Sequence, residues 1–415
     1  MAIQFTLTDT QHALQQDARR FAATHLSRVR DLIQGLPTPE AGFQATRPIY
    51  EEAVRAGFLK RLIPAPFGGT GGGLLDMAIA AEELHAVDAS VSLTLFANLL
   101  GLMPIFIAGN DAQRSQYVTP FLEGAGAPLA ALANSEPGGS ANYAAPPPHG
   151  TRTTARLEGD SWVIEGEKHW VSSATGWDGK GADVLCVVCR TAASGDAPAG
   201  LSIIAVPAGT PGFEPVHSID TLGHRAHVVP HFRLRSVRVP RGNLIGPMGG
   251  AQTLVAASFS GTAAAVGAMS VGLMRNAFGF ALEFCRTDAR GGPHPILGYP
   301  TVGYALADAK GAIESCRWLS LRAAAAMDAQ EPCALELALH AKVFCSETAV
   351  RVITNLMSVV GIDSYDHRLP LAGLLQDAMA LPLFDGGNMG VRWRQLHAIL
   401  QQPDYDALAT VSCHQ

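Results

Sequence analysis

The sequence predicts an α+β fold in three parts: a helical segment, a small antiparallel β unit, and a second helical segment. Three observations carry that reading. Apolar residues recur at helical spacing from the N-terminus to about residue 127. Near Pro128 the pattern changes to short alternating or β-branched runs separated by Gly, Pro and Asp, and these continue to about Pro247. From Gln252 long Ala/Leu-rich stretches return. The predicted divisions are therefore 1–127, 128–247 and 248–415.

Taken in order, Leu7-Thr8-Asp9 supplies a cap before an amphipathic helix reaching Thr24. A second helix is expected from Arg47-Pro48 to Gly57. PAPFGGTGGG (64–73) follows a helix, not a strand, and lacks the lysine of a phosphate loop, so it reads as a turn. LLDMAIAAEELHAV resumes the helix, and LLGLMPIFIAGNDAQ is apolar, interrupted by Pro104 and expected to be too short for a membrane span. PLAALAN, TRTTARL, SWVIEGE, ADVLCVVCR, LSIIAVP and HFRLRSVRVP are the predicted strands. Residues 254–274 carry no charge, yet their Ala, Gly, Ser and Thr content favours a buried helix at a close helix contact. Breaks are expected at 290–300 and 361–370.

Composition narrows the function. The chain has 415 residues, 48% hydrophobic and 16% charged, which describes a globular chain with much buried surface. A net charge of −6 without a basic cluster argues against nucleic acid as a partner. The N-terminus has no basic region followed by an apolar one, so no signal peptide is expected. The 7 cysteines are odd in number and thinly spread, which suggests reduced thiols and a cytoplasmic setting. Cys186 and Cys189 form a C-x-x-C, but on a strand they face opposite sides, which disfavours a metal or redox role.

Chemistry concentrates in three segments. The first, LANSEPGGSAN (132–142), is a strand end opening into a Gly-rich turn; its N–H groups and the Ser135 and Ser140 hydroxyls can bond a flavin edge and a pyrophosphate, although an ordinary β-turn looks the same. In the second, GEKHWVSSA (166–174), Trp170 could stack on a flavin and Ser172 could bond its N5; a core Trp is the commoner use. The third is LPLFDGGNMGVRWRQLHAIL (381–400). Pro382 and Gly386-Gly387 bracket Asp385 on a segment that cannot be mid-helix, and a helix begins close to Asn388. Arg392 follows on that helix. Asp before a helix usually caps it. With Arg392 behind it, Asp385 could instead be a general base.

Together these segments resemble the acyl-CoA dehydrogenase superfamily of FAD flavoproteins. SEPGGS resembles T-E-P-x-x-G-S-D, GEKHWVS resembles G-x-K-x-W-I-T, and GLLQDAMALPLFDGG resembles R-D-A-x-x-x-x-I-Y-E-G-T, with Asp385 at the place of the catalytic glutamate. The resemblance covers about residues 5 to 400. It implies an N-terminal helical domain, a central antiparallel β domain and a C-terminal four-helix bundle, with FAD bound between subunits of a homotetramer. FQATRPIYEEAVR, GWDGKGADVLCVVCR, VGAMSVG, TDARGG and PLFDGGNMGVR are closer still to the nitroalkane oxidase branch.

That resemblance implies that Asp385 takes the α-proton of a neutral nitroalkane, with Arg392 positioning it and Thr262 standing where the branch has serine. The carbanion would add to flavin N5; nitrite, an aldehyde or ketone, and hydrogen peroxide from molecular oxygen would follow. FAD contacts are implied at Leu132, Asn134, Ser135, Gly139, Ser140, Trp170, Ser172, Arg290, Gly361 and Gly387. Arg290 lies two positions from the family's pyrophosphate contact, and the acid after Ser140 is missing. Burial would disfavour charge on Asp385, while Arg392 and the helix N-terminus favour it. Three other readings remain open: an acyl-CoA dehydrogenase, a flavin-dependent N-oxygenase on the same fold, and a non-catalytic flavin-binding protein.

Overall fold

The computed structural model describes residues 6–192 and 200–411. Cys413 and the outermost residues of the first and third predicted segments, including the start of the stretch inspected for a signal peptide, lie outside the described residues.

Seven helices come first: α1 (Asp9–Thr24), α2 (Val29–Ile33), α3 (Pro39–Arg55), α4 (Phe58–Leu62), α5 (Leu74–His85), α6 (Ala89–Ala108) and α7 (Asp111–Leu122). Thr8 caps α1 as expected: its hydroxyl accepts from Gln11 N–H at 3.2 Å, and Gln11 returns a bond to Thr8 N–H at 3.0 Å. The second predicted helix starts earlier than Arg47-Pro48. Thr38 accepts from Ala41 N–H at 3.2 Å and Pro39 fills the first turn, so α3 begins there and carries Pro48 in its interior. An interior proline typically costs about 3 kcal/mol; burial of Phe43, Ile49 and Tyr50 on the same helix offsets it. The GGTGGG run is a turn that folds back on Ile63: a Cβ on Gly69 would lie 1.8 Å from the Ile63 carbonyl oxygen.

Among the described residues eight strands follow: β1 (Ala130–Ala133), β2 (Thr154–Glu158), β3 (Ser161–Lys168), β4 (Val184–Ala192), β5 (Gly200–Pro207), β6 (Phe213–Ser218), β7 (Pro230–Pro240) and β8 (Leu244–Ile245). Their order is β6-β7-β3-β2-β4-β5-β8, with β1 also on β4. The sheet is mixed, not wholly antiparallel. β1 runs parallel to the first part of β4 (Ala130↔Val184 to Ala133↔Val187), and β2 parallel to its end (Thr154↔Arg190 to Arg156↔Ala192). The chain between β1 and β2 is therefore an excursion that leaves the sheet beside β4 and rejoins it, and this excursion holds the Gly-rich segment. Cys186 and Cys189 are buried free thiols on β4; Cys285, Cys316 and Cys345 are also free. Cys333 is disulfide-bonded, which corrects the expectation that every cysteine is reduced.

The C-terminal part contains α8 (Ala251–Thr287), α9 (Pro300–Asp328), α10 (Ala334–Val360), α11 (Pro370–Ala380) and α12 (Trp393–Leu400). A π-helical turn, Asn388–Arg392, leads into α12. The breaks fall where Gly and Pro predicted them. Helices α6, α8 and α10 are long and apolar enough to cross a membrane by length and composition. For α6 this corrects the expected shortness: the helix begins at Ala89, capped by Asp88, and spans 20 residues. The most apolar windows of the three are 67%, 78% and 50% buried within the fold. Buried Glu82 and Glu83 of α5 bind Arg275 of α8 at 2.7 and 2.5 Å, and Arg317 of α9 reaches Glu82 at 2.8 Å, so the two helical parts are joined by a shared ion-pair network.

Candidate active site

Asp385 sits on the loop between α11 and the π-helical turn with φ 52°, a left-handed conformation that aspartate tolerates better than most side chains. Gly386 beside it also has positive φ, at 75°. This Asp does not cap the following helix. Its Oδ1 accepts from Thr262 Oγ1 at 2.6 Å, and its Oδ2 accepts from Arg392 Nη2 at 3.0 Å. The carboxylate is only 6% exposed and the Arg392 side chain is fully buried. Arg392 holds the loop a second time, donating from Nε to the Asp385 carbonyl at 2.9 Å. It also donates to Phe259 O at 3.0 Å and Gln395 Oε1 at 3.1 Å. A planar donor set bonded on several sides is fixed, and so is the acid it grips. A Cβ on Gly261, one position before Thr262, would lie 3.5 Å from Met103 Cε.

A lysine that the sequence reading did not single out lies beneath this loop. Lys342 of α10 is fully buried and donates to Leu381 O at 2.6 Å and Asn388 Oδ1 at 2.9 Å. Asn388 in turn donates to Ser346 at 3.1 Å and Glu347 at 3.0 Å. Both ends of the Asp385 loop are thus fastened to α10. Burial pushes the Lys342 ammonium down to about 8, against the pull of Asp385. Between about pH 8 and about 10, the unfolded chain keeps a proton that the native chain has released, so stability rises with pH through that window. Lys342→Met is expected to remove that rise from urea midpoints compared across it. Equal slopes in the two proteins would show that the lysine is not depressed.

The Gly-rich segment leaves β1 at Asn134. Glu136 is buried against Lys168 at 2.9 Å and accepts from Arg152 N–H at 2.7 Å, Thr153 N–H at 3.0 Å and the Thr153 hydroxyl at 2.6 Å. Burial alone would raise the Glu136 carboxyl; Lys168 and these donors hold it below the usual range. This pair, one member in each of two motifs, was also missed as a pair. It ties the segment to the end of β3. Gly138 and Gly139 have φ 103° and 100°, with open space where a Cβ would project. Ser135 and Ser140 are half-buried, Leu132 is buried, and the buried Asn134 Oδ1 has no hydrogen-bond partner among the described residues.

Trp170 and Ser172 lie beyond β3, not on it: the strand ends at Lys168 and the chain turns at Trp170 with φ 60°. Trp170 is 52% exposed, so it is not a core tryptophan; Trp162 and Trp177 fill that role. Ser172 is half-buried and bonds His227 Nε2 at 3.1 Å. His227 belongs to a loop that also carries His224, whose ring stands edge-on to Phe384 at 6.2 Å, one residue before Asp385. That loop presses so closely on α11 that a Cβ on Gly223 would lie 2.6 Å from Asp377 N. From the other side, Arg394 of α12 donates to Asn142 Oδ1 at 3.0 Å and to Ala141 O. The three predicted segments are therefore linked, the second to the third through the 223–228 loop and the first to the third through Arg394. Gly387 precedes the π-helical turn.

Arg290 and Gly361 meet elsewhere, where α8 and α10 end. Arg290 Nη1 donates to Asp363 at 2.5 Å, Nη2 donates to Val360 O, and Gly361 adjoins the same guanidinium. Among the described residues no bond connects this pair to Asp385.

An unpartnered buried amide oxygen, an open glycine turn, an exposed indole and a half-buried hydroxyl suit a flat, polar-edged group such as a flavin. Comparison with known proteins agrees. Profiles described as the N-terminal, middle and C-terminal domains of acyl-CoA dehydrogenase match residues 8–125, 131–237 and 250–400. Nitroalkane oxidase of Podospora anserina is 43% identical over 98% of either chain. Its solved structure superposes with a TM-score of 0.93, covering 99% of each chain. Nitroalkane oxidase of Fusarium oxysporum is 36% identical, covering 98% of this chain and 97% of that one. A solved nitroalkane oxidase structure, described as a flavoprotein, concerns the roles in its reaction of an arginine and an aspartate at the same separation as Arg392 and Asp385. It has a TM-score of 0.94 at 36% identity, covering 99% of this chain and 100% of that one.

Proposed function

The chain belongs to the acyl-CoA dehydrogenase family, and from that membership and the geometry at Asp385 we propose that it is an FAD-dependent nitroalkane oxidase. The single observation that carries the reading is the buried carboxylate of Asp385, held by Thr262 at 2.6 Å and Arg392 at 3.0 Å. The overall reaction takes a primary nitroalkane, oxygen and water to an aldehyde, nitrous acid and hydrogen peroxide.

A C–H beside a nitro group is acidic because the resulting charge spreads onto the nitro oxygens. Asp385 accepts that proton. Thr262 and Arg392 hold its two oxygens, so the carboxylate meets the α-carbon without first reorganising. Bound FAD supplies a two-electron acceptor that oxygen can regenerate. Asn134, Ser135, Gly139 and Ser140 would hold its polar edge and phosphates, and Trp170 and Ser172 its ring. Leu132 and Gly387 would line the approach. Asp is one methylene shorter than the family's Glu, a reach that favours α-proton removal over α,β-dehydrogenation of a thioester.

The active form is a homotetramer in this reading, with Arg290 and Gly361 contributing to FAD bound mainly by a neighbouring subunit. Exposed apolar side chains in the C-terminal part support it, among them Tyr304 at 74%, Ile362 at 81% and Met389 at 83% exposure. Anaerobic mixing of the yellow protein with nitroethane or with butyryl-CoA tests the assignment. Bleaching by nitroethane alone is expected. Bleaching by the thioester alone would replace it with an acyl-CoA dehydrogenase.

A further inference from the structure

A chain of hydrogen bonds runs behind Ser172, through His227 to Thr94. Thr94 of α6 has one hydroxyl proton, and both the Ser90 carbonyl at 3.0 Å and His227 Nδ1 at 2.8 Å are within its reach. With that proton on the Ser90 side, the Thr94 oxygen accepts from Nδ1, which places the imidazole proton there. His227 is 2% exposed. Burial first, and the neighbouring His224 second, push it down to about 3, so the ring is neutral and carries only that one proton. Its Nε2 then offers a lone pair to Ser172 Oγ, 3.1 Å away, and the Ser172 hydroxyl proton points to His227. The surroundings add no positive charge to the ring and hold the loop in place. The nearby His85 is also held well below its ordinary value by burial, and Ser173 N–H donates to Val228 O at 2.9 Å, fastening the Ser172 turn to the histidine loop.

We infer that the Thr94 proton goes to the Ser90 carbonyl, and that His227 and Thr94 are thereby positioning residues that make Ser172 a hydrogen-bond acceptor on its free side, and so favour the reduced over the oxidised flavin. The inference rests on the proposed function, in which Ser172 faces flavin N5. That atom is an acceptor in the oxidised ring and carries a proton in the two-electron-reduced ring. A serine whose own proton is directed backwards can bond only the second of these. The hydroxyl thus matches the state reached after the substrate has given up its electrons.

The test is the midpoint potential of the bound flavin, measured by spectroelectrochemistry on purified holoenzyme. Thr94→Val leaves the Nδ1 proton without an acceptor. The imidazole then moves its proton to Nε2, donates to Ser172, and turns the serine proton toward the flavin. His227→Phe frees the serine proton in the same sense. Each variant is expected to shift the reduction equilibrium about tenfold toward the oxidised flavin, about 30 mV for a two-electron couple. In a Ser172→Ala background the Thr94→Val shift should vanish, because the chain has lost its last link. A Thr94→Val shift that persists without Ser172 would mark a merely structural effect and overturn the inference. So would an unchanged or raised potential in both single variants. If Ser172→Ala alone leaves the potential and the flavin spectrum unchanged, the serine does not face the ring. The placement of the flavin then fails, and the inference with it.

Discussion

Asp385→Asn reduces its flavin with neutral nitroethane about 10²- to 10⁴-fold more slowly than the parent enzyme, the range that a positioned general base contributes. The substitution is nearly isosteric. With the amide oxygen toward Arg392, the amide nitrogen can donate to Thr262, whose hydroxyl proton turns to the Phe259 carbonyl 3.2 Å away. No apolar contact is lost, so the yellow colour stays, while the unfolding midpoint falls because the buried Arg392 guanidinium loses its counter-charge. What disappears is the basic group whose two oxygens Thr262 and Arg392 hold. Stopped-flow bleaching at 450 nm or thereabouts, with FAD content measured on the same preparation, separates loss of chemistry from loss of cofactor.

Arg392→Met has the second large effect, and it reaches stability as well as rate. Removing the guanidinium leaves a 6% exposed carboxylate without its counter-charge and leaves the carbonyls of Asp385 and Phe259 without their donor. Stripping one partner from a buried ion pair typically costs about 3–5 kcal/mol. A lowered unfolding midpoint and a strongly reduced rate with neutral nitroalkane are both expected. Arg392→Lys should recover part of the stability, because it restores the charge but not the several-sided donor geometry. If Arg392→Met melts and reacts like wild type, the pair is not holding the acid.

Much of this was legible in the chain. Thr8 and Gln11 form the capping box that the sequence placed before α1, and the Gly and Pro breaks at 290–300 and 361–370 end helices where expected. Asp385 could be found because proline and paired glycines exclude a helix interior around it. Local chemistry decides such features. The misreadings are non-local or depend on packing. Pro48 suggested a helix start, but the buried face of α3 overrides that local signal. β1 and β2 lie parallel to β4, a pairing between distant segments that alternation alone does not reveal. GEKHW continues the pattern of β3, yet the strand stops at Lys168, whose ion pair with Glu136 anchors the Gly-rich segment there. Lys342 is one lysine in an apolar helix, and only the fold brings it beneath the Asp385 loop. His227 acts through Thr94 and Ser172, three residues on separate segments with no shared motif.

The most direct measurement offers Asp385→Asn two forms of one substrate, neutral nitroethane and its preformed nitronate anion, under anaerobic single-turnover conditions. The anion has already lost its α-proton and needs no base. Rapid bleaching with the nitronate and slow bleaching with the neutral compound is the predicted result. Wild-type rates with the neutral compound would contradict the central claim that Asp385 removes the proton.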